Sequence, residues 1–165
     1  MLRLSLLVLL SMLSTWGWTQ SLVVSTHPIY LIAKEVTDGV EEPVLLLGDQ
    51  TGHDVQLTPA HRKAIQDASL VLWLGKVHEA PLDKLLSQNR KAIALLDSAI
   101  LTTLPQRNLR GAALSNTVDS HVWLDPNNAV RIAFFIATLR SQQYPENKAK
   151  YLANAKDFAQ QMLQA

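Results

Sequence analysis

Four short stretches of this chain are apolar almost throughout, and segments of helical character separate them. The stretches are Leu22-Val23-Val24-Ser25-Thr26, Val44-Leu45-Leu46-Leu47, Leu70-Val71-Leu72-Trp73-Leu74 and Ala92-Ile93-Ala94-Leu95-Leu96. None shows the polar alternation of a strand with one face in water. A strand with no wet face is covered on both sides, the condition of a parallel sheet between helical layers. The intervening segments fit that arrangement. A helix follows His27-Pro28 with Ile29, Ile32, Ala33 and Val36 on one face and ends at Gly39. A second runs from Thr58 to about Ala68, and a third lies around Pro81 to Gln88. The predicted fold class is α/β, a Rossmann-like parallel sheet with helices on both faces.

The remainder of the chain is helical around one long polar loop. Thr102 to Ser120, with Pro105, Gly111 and several Asn and Ser, reads as a surface loop. A helix from Pro126 carries Val130, Ala133, Phe134, Ala137 and Leu139 and stops before Pro145. A last helix begins near Glu146, with Tyr151, Leu152, Ala155, Phe158, Ala159 and Met162 along one stripe. No Gly, Asn or Pro ends it before Ala165.

Ligands of parallel α/β sheets bind beyond the carboxyl ends of the strands. His27, His53 and His78 each follow a predicted strand and so share that rim. His53 lies in Gly52-His53-Asp54-Val55-Gln56-Leu57, ahead of Thr58 as a cap and Pro59 in the first turn. His121 repeats the plan in Ser120-His121-Val122-Trp123-Leu124-Asp125-Pro126, where Asp125 can cap a helix that Pro126 opens. Two histidines, each beside a rigid helix entrance, suit a metal ion, and neutral imidazole is among the best zinc donors. Either alone could be an ordinary loop histidine; the matched pair favours metal. His61, beside Arg62 and Lys63, reads as part of a solvated face. His27 and His78, the latter followed by Glu79, are candidate accessory ligands, with plain loop polarity the competing reading.

Composition narrows the chemistry further. Fifteen Lys and Arg against 14 Asp and Glu give a net charge of +1, with no basic face for nucleic acid. The sequence has no cysteine, which excludes disulfides, thiolate ligands, a cysteine nucleophile and a lipid-accepting export cysteine. A metal site must therefore use His, Asp, Glu or water. At the start, Arg3 precedes an apolar run from Leu4 to Leu13 that is too short to span a bilayer and has the proportions of a secretory signal. Residues 1–20 are expected to be removed on export, with no stable membrane insertion afterwards. There is no H-E-x-x-H, no G-x-S-x-G and no Gly-rich phosphate loop. A hydrolytic zinc held by His53, Asp54 and His121 would also need an open position and a carboxylate base, and no residue stands out as that base.

The stretches GHDVQLTPAHRKAIQDASLVLWLG and HVWLDPNNA, in this order, resemble the periplasmic zinc-binding proteins of ABC transporters, the ZnuA-type family of metal-binding solute-binding proteins. The similarity runs from about Val23 to the end. It implies a non-enzymatic protein that delivers Zn2+ to a membrane permease in the periplasm, with His53 and His121 as the metal ligands of its first lobe. Mn2+ is the rival cargo, and a secreted zinc hydrolase is the rival class. Two departures accompany the likeness. The acidic residue that often precedes the first ligand is Gly52 here, and the region from Ile100 to Ser120, where many zinc members are rich in histidine, has none. The resemblance further implies that residues 21–142 form the N-terminal α/β lobe, and that residues 143–165 begin the long helix leading to a C-terminal lobe not contained in this sequence. That lobe would supply the remaining ligands. Without it, the stripe through Tyr151, Leu152, Phe158 and Met162 is expected to stay partly exposed and to promote self-association.

Overall fold

The computed structural model describes residues 21–48 and 55–164. The expected signal at 1–20 and the loop carrying His53 lie outside the described residues. Four strands, β1 (Leu22–Val24), β2 (Val44–Leu45), β3 (Leu70–Trp73) and β4 (Ala92–Ala94), form one sheet in the order β2-β1-β3-β4. Every pairing is parallel, as wholly apolar strands require.

Strand residues alternate between two cores because successive side chains leave opposite faces. Leu22, Val24, Leu70, Leu72 and Leu74 face one layer, made by α1 (His27–Thr37), α4 (Pro126–Gln143) and α5 (Lys148–Met162). Val23, Val71 and Trp73 face the other, where Ile65 of α2 (Pro59–Asp67) and Leu82 and Leu86 of α3 (Ala80–Leu86) pack. Helices thus cover both faces, the α/β arrangement expected.

Several details differ from the sequence reading. The fourth strand ends at Ala94, and Leu95–Asp97 turns into a short 3-10 helix. The buried stripe of α4 is Ala129, Ile132, Ala133, Ile136, Ala137 and Arg140. Phe134 is 39 % exposed, so the bulky aromatic pointed the pattern to the wrong flank. A 3-10 turn at Pro145–Asn147 leads into α5, which closes at Met162. Tyr151 and Ala155 on α5 are buried, and Leu152, Phe158 and Met162 are partly buried against the same core. That stripe packs on α1 and α4, and Leu152, Phe158 and Met162 keep part of their surface exposed.

The long loop from Thr102 to Ser120 is fastened at both ends. Buried Asn128 on α4 accepts the Thr102 N–H at 2.9 Å and donates to the Thr102 carbonyl at 2.8 Å. Near the other end the Asp119 N–H donates to the Leu104 carbonyl at 2.8 Å. Between them, Asn108 closes a turn by accepting from the Arg110 and Ala112 N–H groups. The loop delivers Asp119, Ser120 and His121 to the entrance of α4 at a defined position.

Candidate metal site

His121 stands before a 3-10 turn, Val122–Leu124, whose Val122 is buried and whose Trp123 packs against the core. Asp125 then caps α4, accepting the Asn127 N–H at 2.8 Å, with Pro126 in the first turn. The capping role read from the sequence is the one observed. A buried anchor on one side and a capped helix on the other hold the His121 backbone.

The ring is held as well. Asp119 Oδ1 accepts the His121 backbone N–H at 3.0 Å and lies 2.7 Å from His121 Nδ1. These two contacts hold the Asp119 carboxyl below the usual carboxylate range, so it is ionised at neutral pH and can act as an acceptor alone. His121 Nδ1 must therefore carry the proton, and Nε2 carries the lone pair of the neutral ring. A carboxylate that fixes the tautomer and aims the ring is the arrangement that metal-binding histidines use. Asp119 was not among the residues singled out from the sequence. Its place two residues before the histidine was the signal available. Beside the pair lies a cavity of about 370 Å³ lined by Thr102, Leu104, Asp119, His121 and Leu124 among others.

Behind His121 sits His78. It lies in the turn after β3, where its N–H and that of Glu79 both donate to the Gly75 carbonyl. Gly75 has φ +119, a conformation that a side chain would strain. The His78 ring is buried, with Nδ1 2.8 Å from the buried Ser120 Oγ. The ring centroids of His78, His121 and Trp123 are mutually 5.3 to 5.5 Å apart. Glu79 is fully buried and accepts the Leu74 N–H at 2.6 Å. Burial pushes its carboxyl up to about 7. Its Oε1, with Ser25 Oγ and Thr26 Oγ1, makes no hydrogen bond in this structure.

The remaining histidines fall elsewhere. His27 is exposed at the start of α1 and stacks on Tyr30 at 6.1 Å. His61 closes the entrance of α2: its Nδ1 accepts the Thr58 N–H and its own N–H donates to Thr58 Oγ1. It thus fills the place usually taken by Glu or Gln in such a cap, a more specific role than a solvated face. Among the described residues, no group of three His, Asp or Glu side chains could hold a metal ion, and His53 lies outside them.

This parallel α/β fold is shared by solute-binding proteins of known structure. The AdcAII protein of Streptococcus pneumoniae superposes with a TM-score of 0.67 at 25% identity, covering 88% of this chain and 53% of that one. The Zn(II)-bound ZnuA-like domain of Streptococcus pneumoniae AdcA superposes at 0.70 and 23% identity over 88% and 52% of the two chains, which shows the fold. Residues 22–165 match the family described as zinc-uptake complex component A, periplasmic (ZnuA), and the chain belongs to that family. The high-affinity zinc uptake system protein ZnuA of Yersinia pestis is 30% identical over 168 residues, covering 87% of this chain and 53% of that protein. Its counterpart in Brucella abortus (strain 2308) is 27% identical over 186 residues, covering 88% and 56%. The chain spans about half the length of these relatives. The family consists of solute-binding proteins of transporters and is not one of enzymes, which sets the hydrolase reading aside.

Proposed function

We propose that this chain is the metal-capturing N-terminal lobe of a periplasmic zinc-binding protein that hands Zn2+ to the permease of an ABC transporter. On this reading residues 1–20 are the export signal, residues 21–142 are the lobe, and residues 143–165 begin the helix to a second lobe. No helix among the described residues is long and apolar enough to cross a membrane. His121 is one ligand and His53 the other that this lobe contributes. The observation that carries the reading is the Asp119–His121 pair, 2.7 Å apart, which fixes one imidazole at the wall of a cavity in a chain of the zinc-uptake family. Imidazole donors favour zinc over manganese, although a relative of the same fold at 20% identity, from Candidatus Liberibacter asiaticus, is Mn-bound.

Calorimetric titration of the full chain with zinc and with manganese tests this. His53→Ala and His121→Ala should each abolish most zinc binding, and His61→Ala should leave it nearly unchanged while loosening the start of α2. Protons compete with metal for imidazole, so affinity should fall on acidification. Equal loss from His61→Ala, or tighter binding of manganese than zinc, would overturn the assignment.

A further inference from the structure

His78 is placed and anchored as a ligand would be. Asp119 and Ser120 are consecutive residues, and each takes the Nδ1 of one imidazole: Asp119 that of His121 at 2.7 Å and Ser120 that of His78 at 2.8 Å. The two ring centroids lie 5.5 Å apart. We infer that His78 is a further imidazole ligand in this lobe, binding the captured metal through Nε2 alongside His121. The inference rests on the reading of His121 as a ligand and extends it to a residue that the sequence treated as accessory.

The geometry carries the argument. With zinc–nitrogen bonds of about 2.0–2.1 Å and tetrahedral angles, two imidazoles on one ion hold their centroids about 5 Å apart. The observed spacing reaches that value with a small movement of either ring. The Ser120 hydroxyl can accept the Nδ1–H of His78; in that tautomer the ring's lone pair is on Nε2, as it is in His121 beside Asp119. Ser120 is 3% exposed and His78 6%, so the anchor is buried and its geometry persistent. The His121 ring, in contrast, is half exposed and faces solvent. A further nitrogen donor from this lobe also biases the site toward zinc and away from manganese, which prefers oxygen.

The edge-to-face packing of His78 on Trp123 gives the ring a structural role as well, so the test must separate packing from ligation. His78→Asn keeps an amide nitrogen near the position of Nδ1, preserves a contact to Ser120 and removes Nε2. In chelator-competition titrations of the full chain with zinc, His78→Asn should lose affinity on the order of a hundredfold or more, beyond the tenfold or so expected of Ser120→Ala, which disturbs the support alone. A readout independent of variant folding comes from the wild-type chain loaded with an NMR-active cadmium isotope, where Nε2 of both His78 and His121 should show direct coupling to the metal. Coupling at His121 alone, or wild-type affinity in His78→Asn, overturns the inference and leaves the reading of His121 intact. Absence of coupling at both rings overturns the two together.

Discussion

The two rims of the parallel sheet treat polar groups in opposite ways, and α4 reaches from one rim to the other, roughly 27 Å for its 18 residues. At the amino rim, where the strands begin, Arg140 on the last turns of α4 is 1% exposed, with every guanidinium nitrogen hydrogen-bonded. It makes a two-pronged pair with Glu41 ahead of β2, at 2.7 and 2.5 Å, and donates to Ser69 ahead of β3 and to Gln143. Tyr151 on α5 adds a bond to the same Glu41, and the Tyr144 ring lies 4.6 Å from the guanidinium carbon. At the carboxyl rim, Ser25 Oγ, Thr26 Oγ1 and Glu79 Oε1 are buried without hydrogen bonds, and the His121 imidazole stands half exposed. A buried charge is tolerable when paired and hydrogen-bonded, and the amino rim meets that condition. Buried polar atoms left unmatched call for a reason beyond stability. One rim fastens helices to the sheet; the other leaves buried polar atoms unmatched beside a half-exposed imidazole.

The comparison is broken most severely by removing its best-matched member. Arg140→Ala strips Glu41 of its counter-charge inside the core, and losing one partner of a buried pair costs about 3–5 kcal/mol. Denaturant unfolding should show that loss, while the zinc affinity of the molecules that remain folded should change little. A variant as stable as the wild type would mean that the pair contributes nothing net, and a collapse of zinc affinity in the folded fraction would mean that the rims are coupled through α4.

The mirror experiment is Asp119→Ala. Asp119 and His121 are about half exposed, and exposed pairs add at most about 1 kcal/mol to stability. Loss of the carboxylate frees the ring and its tautomer, which typically weakens a metal site by about ten- to a hundredfold. Zinc titration and thermal melting of the same variant read the two effects separately. A large fall in melting temperature with unchanged affinity would reverse the roles assigned to the two rims.

What could be read from the residues follows the same division. The sheet was legible because Leu22–Val24 and Leu70–Trp73 carry no wet face, and the structure pairs them in parallel as that pattern demands. His121 was legible because a histidine, an apolar anchor and Asp-Pro stand together, so that local chemistry alone describes its setting. His78 was not, since its partner Ser120 is 42 residues away and nothing next to it announces burial. Arg140 was hidden more deeply. A charged side chain on a helix reads as solvated, and only Glu41, 99 residues distant, turns its position into core. Long-range polar pairs of this kind leave no periodicity, whereas apolar faces do. The α5 stripe was visible in the same way, but the surfaces it packs on, α1 and α4, were not assigned to it by any local signal.

The smallest expected effect sharpens the account of the amino rim through pH. Tyr151 donates to Glu41 at 2.9 Å. Burial first, and that bond to a carboxylate second, push its hydroxyl up to about 12 from the ordinary 10.0. Glu41 is already satisfied by Arg140, so Tyr151→Phe should cost about 1.5 kcal/mol at neutral pH, the low end for a bond to a charged acceptor. Above pH 10 the two chains should part company. The folded state keeps the Tyr151 proton more tightly than the unfolded state, so the wild type loses stability as pH rises from about 10 to about 12. Each unit of that separation is worth on the order of 1 kcal/mol. Phe does not titrate at this position and escapes that slope. The stability advantage of the wild type over Tyr151→Phe should therefore be constant below pH 10, shrink through pH 11 and vanish or reverse near pH 12. Paired unfolding curves at pH 8, 10 and 11 measure the difference while cancelling the lysines and other tyrosines that titrate in both proteins. A gap that stays constant across this range would mean that Tyr151 ionises as readily in the fold as in the unfolded chain, and that the amino rim is open to water rather than sealed around Arg140.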